Sequence, residues 1–158
     1  FYPSPNQNPG RMNLFDFQEY KVLLDYGHNP ESARAMAILL PRLTQGRKIA
    51  LCHGTGNRTT AQIVEYGKVL ASVYDYIVLA DFDPRDRPIG ETPKLVCEGL
   101  LKGGFKKQNI DIVSDPGKAV DHLFSKAKKG DFIVIQPDEL EPVMGQIMKR
   151  YRQMVTHI

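Results

Sequence analysis

A chain of 158 residues with 42% hydrophobic and 25% charged residues is long enough for one domain around one substantial core, and too apolar for a disordered segment. Its net charge is only +3, with lysines and arginines scattered along it. No nucleic-acid partner is expected from that, because nucleic acid is met by a concentrated basic face. No membrane partner is expected either, since no apolar run approaches the roughly 20 residues of a membrane span.

Cys52 and Cys97 stand far apart on apolar segments. They read as buried thiols in a reducing compartment, the cytoplasm, with neither a disulfide nor a metal pair expected. Residues 1–10 hold three prolines and two asparagines and read as a linker. The chain begins at Phe1 with no start methionine and no signal-peptide pattern, so it is expected to be cut from a longer polypeptide. Residues 11–158 would then be the folded domain.

In chain order, Met12 to Phe17 and Tyr20 to Leu24 suit a hairpin turning at Gln18-Glu19, its second strand running from Lys21 to Leu24. Asp25-Tyr26-Gly27-His28 is a turn. Asn29 is a good N-cap, Pro30 suits the first helical position and Glu31 the positive end of the helix dipole. From Glu31 to Leu43, Met36, Leu39, Leu40 and Leu43 give a helical face. Lys48 to Cys52 is a strand, and Thr60 to Val73 a helix with Ile63, Tyr66, Leu70 and Val73 on one side. Tyr76 to Ala80 is a strand, Glu91 to Lys102 a helix closed by Gly103-Gly104, and Ile110 to Val113 a strand. Ser114-Asp115-Pro116 caps a helix carrying Val120, Leu123, Phe124 and Ala127. Asp131 to Ile135 is the last strand, and Glu139 to about Met154 the last helix. Strand and helix alternate, and the strands are short and apolar. Runs of that kind, buried on both faces, belong to a parallel sheet covered by helices on both sides. The expected fold is α/β: a doubly wound, Rossmann-like, mostly parallel sheet with an antiparallel hairpin at its N-terminal edge.

The carboxyl ends of parallel strands share one edge, where open α/β sheets bind ligands. That edge collects Asp25 and His28, the loop His53 to Arg58, the loop Asp81 to Arg87, Ser114 and Asp115, and Gln136 and Asp138. Many of these are ordinary caps and turn formers. The Asp81 loop stands out. Asp81, Asp83 and Asp86 are interleaved with Arg85 and Arg87 in a ten-residue loop stiffened by two prolines, which suits a charged or zwitterionic ligand. The Gly54-Thr55-Gly56-Asn57-Arg58-Thr59-Thr60 loop fails as a phosphate loop, with Arg58 in place of lysine and Cys52 in place of the first glycine, and a third glycine for a dinucleotide fingerprint is absent. His53, His122 and His157 have no metal-ligand spacing and read as solvated or structural. No metal ligand is expected in this chain. No Gly-x-Ser-x-Gly supports a nucleophile, and no catalytic residue is expected.

Pro9-Gly10-Arg11-Met12-Asn13-Leu14-Phe15 followed at a short distance by Asp25-Tyr26-Gly27-His28-Asn29-Pro30 resembles the opening of the C-terminal domain of the Mur ligase superfamily. Its members are ATP-dependent amide-bond ligases: the cell-wall precursor ligases, folylpolyglutamate synthetases and cyanophycin synthetases. The Gly-Arg-Met-Asn-Leu-Phe start, the loop from Asp81 to Glu91 with Glu98-Gly99 after it, and Gly130-Asp131-Phe132-Ile133-Val134 are most similar to the cyanophycin synthetase branch. The resemblance implies a lid domain that closes over a nucleotide and brings the amine substrate. ATP and Mg2+ would be held mainly by a central ATPase domain of the same polypeptide, in a homo-oligomeric parent. ATP would phosphorylate a carboxylate and an amine would attack the acyl phosphate. Carried onto this chain, Arg11 would meet the ATP phosphates, Asp25 the ribose hydroxyls, and His28 and Asn29 the nucleotide nearby. Asp81, Asp83, Arg85, Arg87 and Glu91 would bind the substrate, with arginine the favoured amine and polyaspartate the carboxylate. Without its ATPase domain the chain would be inactive. Asp83-Pro84-Arg85 is also similar to the Asp-Asn-Pro-Arg motif by which one cell-wall ligase holds diaminopimelate. A peptidoglycan-precursor ligase and a folylpolyglutamate synthetase therefore stay open, as does a stand-alone Rossmann-like binding module.

Overall fold

The structure, a computed structural model, describes residues 10–157. The linker reading thus lies outside the described residues except at Gly10. The chain runs β1 (Asn13–Asp16), β2 (Lys21–Leu24), α1 (Pro30–Leu43), β3 (Lys48–Cys52), α2 (Thr60–Leu70), β4 (Tyr76–Leu79), α3 (Glu91–Lys102), β5 (Ile110–Ile112), α4 (Pro116–Lys126), β6 (Phe132–Ile135) and α5 (Leu140–Val155), with a 3-10 turn at Lys107–Asn109. These form one six-stranded sheet in the order β1-β2-β6-β3-β4-β5. β1 pairs antiparallel with β2, and every other pairing is parallel. The expected mixed sheet with an N-terminal hairpin is the observed one.

Because side chains alternate along a strand, each strand feeds two cores. Val22, Leu24, Ile49, Leu51, Val78, Ile133 and Ile135 pack against Val120 and Leu123 of α4 and Val143 and Ile147 of α5. Leu23, Ala50, Cys52, Ile77, Leu79, Phe132 and Val134 pack against Met36 and Leu40 of α1, Ile63 and Leu70 of α2, and Val96 and Leu100 of α3. Hence α1, α2 and α3 cover one face, and α4 and α5 the other. α2 and α3 cross closely because two glycines meet there. A Cβ on Gly67 would fall 2.2 Å from the Val96 carbonyl oxygen, and one on Gly99 would fall 2.0 Å from that of Val64.

This layering positions the site. The chain leaves β6 toward the α5 face, whereas it leaves the flanking strands β2 and β3 toward the opposite face. A crevice opens where neighbouring strands diverge in this way. Gln136 lies at its centre, with Asp25 and His53 on either side.

Three expectations need correction. α2 ends at Leu70, not about Val73, where the backbone tightens into i→i−3 bonds, with the Ser72 N–H donating to the Val69 carbonyl at 3.2 Å and the Val73 N–H to that of Leu70 at 3.0 Å. β5 is not buried on both faces: it is an edge strand with one neighbour, and Ile112 is exposed. Cys97 is half-buried, while Cys52 is fully buried. Burial pushes the Cys52 thiol up, against a smaller downward pull from the Tyr66 hydroxyl.

Candidate functional site

The two opening motifs form one latch. Gly10 takes a left-handed conformation (φ 78) and Met12 another (φ 52), which folds the chain back on itself. The Gly10 N–H donates to Asn13 Oδ1 at 2.6 Å, and the Tyr26 N–H donates to the Gly10 carbonyl at 3.0 Å. The Asp25 carboxylate closes the latch: Oδ2 accepts the Met12 N–H at 3.1 Å and Oδ1 the Gly27 N–H at 2.9 Å. A carboxylate offers about four lone-pair positions, so Asp25 keeps acceptor capacity after both bonds. Arg11, between Gly10 and Met12, is exposed on the same turn.

The β2–α1 turn continues into a capping box. Asn29 Oδ1 accepts the Ser32 N–H at 2.8 Å, and the Ser32 hydroxyl oxygen accepts the Asn29 N–H at 3.1 Å. His28 Nδ1 lies 2.6 Å from the Tyr26 carbonyl oxygen. That nitrogen must carry a proton to face a carbonyl, which leaves Nε2 as the acceptor in the neutral ring. Arg11, Asp25, His28 and Asn29 thus lie on two turns joined at one strand end.

The second group divides. Asp81 is buried, and its oxygens accept the Gly90 N–H at 2.5 Å and the Thr92 hydroxyl at 2.8 Å. Gly90, the N-cap of α3, supplies no side-chain cap, so Asp81 serves as the cap from across the loop. Arg87 donates from Nε to the Gly56 carbonyl at 3.1 Å, from Nη2 to the Arg58 carbonyl at 2.9 Å, and from Nη1 to Glu91 at 2.8 Å. Asp81, Arg87 and Glu91 therefore build the loop. Asp83 and Arg85 hold each other in a 2.7 Å ion pair, in which the Asp83 side chain is only 13% exposed while the Arg85 side chain reaches into solvent. The loop is tied to its neighbour by a bridge between Thr55 and Asp83 and by the Gly56 N–H donating to the Asp83 carbonyl at 2.8 Å.

A cleft of about 570 Å³ lies between the amino ends of α1 and α2, lined among others by His28, Asn29, Glu31, Thr55, Arg58 and Gln62. Behind its wall is a residue that reads in the sequence as an ordinary loop histidine. His53 has no exposed surface, and its ring stacks on His28 with centroids 5.2 Å apart and packs against Phe82 at 5.0 Å. Its Nδ1 reaches the Gly54 carbonyl oxygen only at 3.4 Å, and Nε2 makes no well-formed hydrogen bond. Burial, then the neighbouring His28, lower its pKa to about 4, against weaker opposition from the Gly54 carbonyl, Asp83 and the Pro137 carbonyl. Beside it Gln136 accepts the Tyr66 hydroxyl at 2.9 Å while its own Nε2 is unpaired. His122 is a structural histidine, one of the two readings open to it: its Nε2 lies 2.7 Å from Asp111, which also accepts the Tyr76 hydroxyl. Among the described residues no three His, Cys, Asp or Glu side chains converge on a metal position.

Residues 10–138 match the sequence profile of the family described as "Mur ligase, glutamate ligase domain". This chain belongs to that family. As a Mur ligase C-terminal domain it is 32% identical over 151 residues to the cyanophycin synthetase of Crocosphaera subtropica, covering 95% of this chain and 17% of that protein. It is 29% identical over 127 residues to the UDP-N-acetylmuramoyl-L-alanyl-D-glutamate–2,6-diaminopimelate ligase of Aquifex aeolicus, covering 80% of this chain and 26% of that one. The chain thus spans about a sixth to a quarter of the relatives it matches. Among solved structures, a diaminopimelate ligase of the same type superposes with a TM-score of 0.73 at 17% identity over 93% of this chain and 32% of that one. Escherichia coli FolC in complex with ADP superposes with 0.68 at 21% identity over 93% and 33%. Both show the Mur ligase C-terminal fold.

Proposed function

We propose that this domain is the lid of an ATP-dependent acid–amine ligase of the cyanophycin synthetase type, adding arginine to a polyaspartate backbone. The observation that carries it is the latch. The turn carrying Arg11 is tied to Asp25 at the crevice edge by the Met12 N–H, and the match to cyanophycin synthetases runs over 95% of the chain. In this reading ATP, with Mg2+, supplies carboxylate activation and is held mainly by a central domain of the parent polypeptide. Asp25 accepts the ribose hydroxyls with the lone pairs its backbone contacts leave over, and the Arg11 guanidinium clamps phosphate oxygens. His28 Nε2 and Asn29 line the nucleotide side of the cleft.

On the amine side, Asp83 already holds a guanidinium, that of Arg85 at 2.7 Å. A substrate guanidinium would take that place and release Arg85 toward solvent. The same pair supports a second reading. Arg85 can grip a carboxylate while Asp83 grips an ammonium group, which is what diaminopimelate would present, and the 29% identity to a diaminopimelate ligase favours it.

The experiment is an ATP-consumption screen of a parent ligase carrying this domain, with arginine and a polyaspartate primer in one arm and cell-wall precursors with diaminopimelate in the other. Arginine-dependent turnover is expected in the parent and none in the 158 residues alone. Turnover by the 158 residues alone would sink the lid assignment, and diaminopimelate-dependent turnover would select the second reading.

A further inference from the structure

Three rings from three different loops stand in a row along the crevice edge. His28 comes from the β2–α1 turn, His53 from the β3–α2 loop and Phe82 from the β4–α3 loop, with centroid separations of 5.2 and 5.0 Å. The middle ring is fully buried and the outer two are half-buried. Little else fixes the middle ring: Nδ1 reaches the Gly54 carbonyl oxygen only at 3.4 Å, and Nε2 makes no well-formed hydrogen bond, the Pro137 carbonyl acting on the ring only weakly. A polar ring with a stacked ring on one contact, at 29°, and a tilted ring on the other, at 53°, takes its position from those two neighbours. An unpaired buried nitrogen costs on the order of 1–3 kcal/mol, so a phenylalanine or leucine here would be the better residue for stability alone.

We infer that His53 is a positioning residue, a ring wedge that makes the placement of His28 on the nucleotide side depend on that of Phe82 and Asp83 on the amine side. The naming of the two sides rests on the ligase reading; the ring-to-ring dependence does not. Both ends of the row are anchored to groups that matter. His28 is pinned through Nδ1 to the Tyr26 carbonyl, next to Asp25. Phe82 precedes Asp83, whose backbone is bridged to Thr55 and Gly56 and whose carboxylate holds Arg85. Coupling through packed side chains needs such a contiguous row. When a substrate cation draws Asp83 outward, Phe82 moves with it, His53 follows the face it packs on, and the His28 ring shifts at the cleft wall.

The test uses the 158-residue chain and no ligand, so it is decided independently of ATP consumption by a parent ligase. The His28 ring resonances are recorded by NMR before and after Phe82→Leu, with His122, on the opposite face of the sheet, as the internal control. The substitution is expected to move His28 and leave His122 in place. In a His53→Leu background, which fills the space without an aromatic face, the displacement at His28 should vanish. In His53→Phe it should persist. A displacement that survives His53→Leu, or that is absent from the unsubstituted chain, overturns the proposal. Its loss in His53→Phe also overturns it, since the nitrogen edge and not the ring faces would then carry the effect. If His53→Leu does not fold, the comparison of His28 with His122 in the unsubstituted chain, together with His53→Phe, still decides.

Discussion

Asp25 and Met12, 13 positions apart, are joined by a 3.1 Å hydrogen bond from the Met12 N–H to Asp25 Oδ2. That bond makes two sequence motifs into one object, since it holds the turn carrying Arg11 against the turn carrying His28 and Asn29. The same carboxylate accepts the Gly27 N–H through its other oxygen, so a single side chain sets the geometry of both turns. We predict that Asp25→Ala lowers the unfolding free energy by about 2 kcal/mol, by leaving two part-buried donors unpaired, and that Asp25→Asn, which keeps one acceptor oxygen, loses less. Urea unfolding of the 158-residue chain measures this. In a parent ligase the same alanine variant is expected to raise the Michaelis constant for ATP, and an unchanged constant would remove Asp25 from contact with the nucleotide.

The two acidic residues that alternate at the start of the β4–α3 loop are expected to behave oppositely. Asp81 is buried and stands in for the missing cap of α3. Asp81→Ala should therefore destabilise the domain by about 2–4 kcal/mol, as losing the buried acceptor of two hydrogen bonds does. Asp83→Ala should cost clearly less than Asp81→Ala, because the hydrogen-bond partner its carboxylate gives up, Arg85, is largely exposed and turns to water instead. In a parent ligase it should instead raise the Michaelis constant for the amine. Equal losses of stability in the two variants would refute this division of labour.

What the sequence conveyed and what it hid follow from the range of the interactions. Asn29, Pro30 and Glu31 announced a helix start because capping acts over three or four residues, and the capping box with Ser32 is there. The alternation of short apolar runs with helical faces announced the sheet for the same reason. The strand order did not follow from any local signal: β6, last in sequence, is inserted between β2 and β3, and that insertion creates the crevice. His53 was illegible for a related reason. Its neighbours are His28 and Phe82, contributed by other loops, and nothing within its own loop distinguishes it from a solvated histidine. Arg87 stood out by loop composition and Glu91 only through the family resemblance, and neither signal told of the partners within the loops that hold the two charges in place.

His53 also fixes the acid side of the stability profile. Its pKa stands at about 4 in the folded chain against an ordinary 6.5. Between these values the unfolded chain binds the proton and the folded chain does not. Stability is therefore complete above about pH 7, falls as pH drops toward 4, and levels off below that for this group, by roughly 3 kcal/mol in all. Asp111 acts in a lower window. Burial works to raise its pKa, but the Tyr76 hydroxyl and His122 together outweigh it and hold it below the usual 3.8. Its contribution is lost only as pH falls through and below that value. Chemical unfolding at a series of pH values, compared between the unsubstituted chain and His53→Phe, should show the slope between pH 7 and 4 largely removed in the variant and the loss at lower pH retained. A slope unaltered by His53→Phe would assign it to other groups.

Gly99, next to Glu98 in a stretch similar to cyanophycin synthetases, has its role in packing rather than in ligand contact. It lies where α3 crosses α2. A Cβ there would fall 2.0 Å from the Val64 carbonyl oxygen and 2.9 Å from the Gly67 Cα, and both of these atoms are backbone, with no rotamer to move aside. Gly99→Ala must therefore push the helices apart, and the Ile63, Val96 and Leu100 side chains packed between helix and sheet would lose contact together. Overpacking of this kind costs about 1–3 kcal/mol, more than the fraction of a kcal/mol gained from alanine's better helix propensity. The expected result is a lower thermal midpoint for Gly99→Ala. At Gly145 on α5, where an added Cβ meets nothing within 4 Å, alanine should raise the midpoint through helix propensity alone. Equal midpoints for the two variants would mean that α2 and α3 can separate freely and that their close crossing contributes no stability.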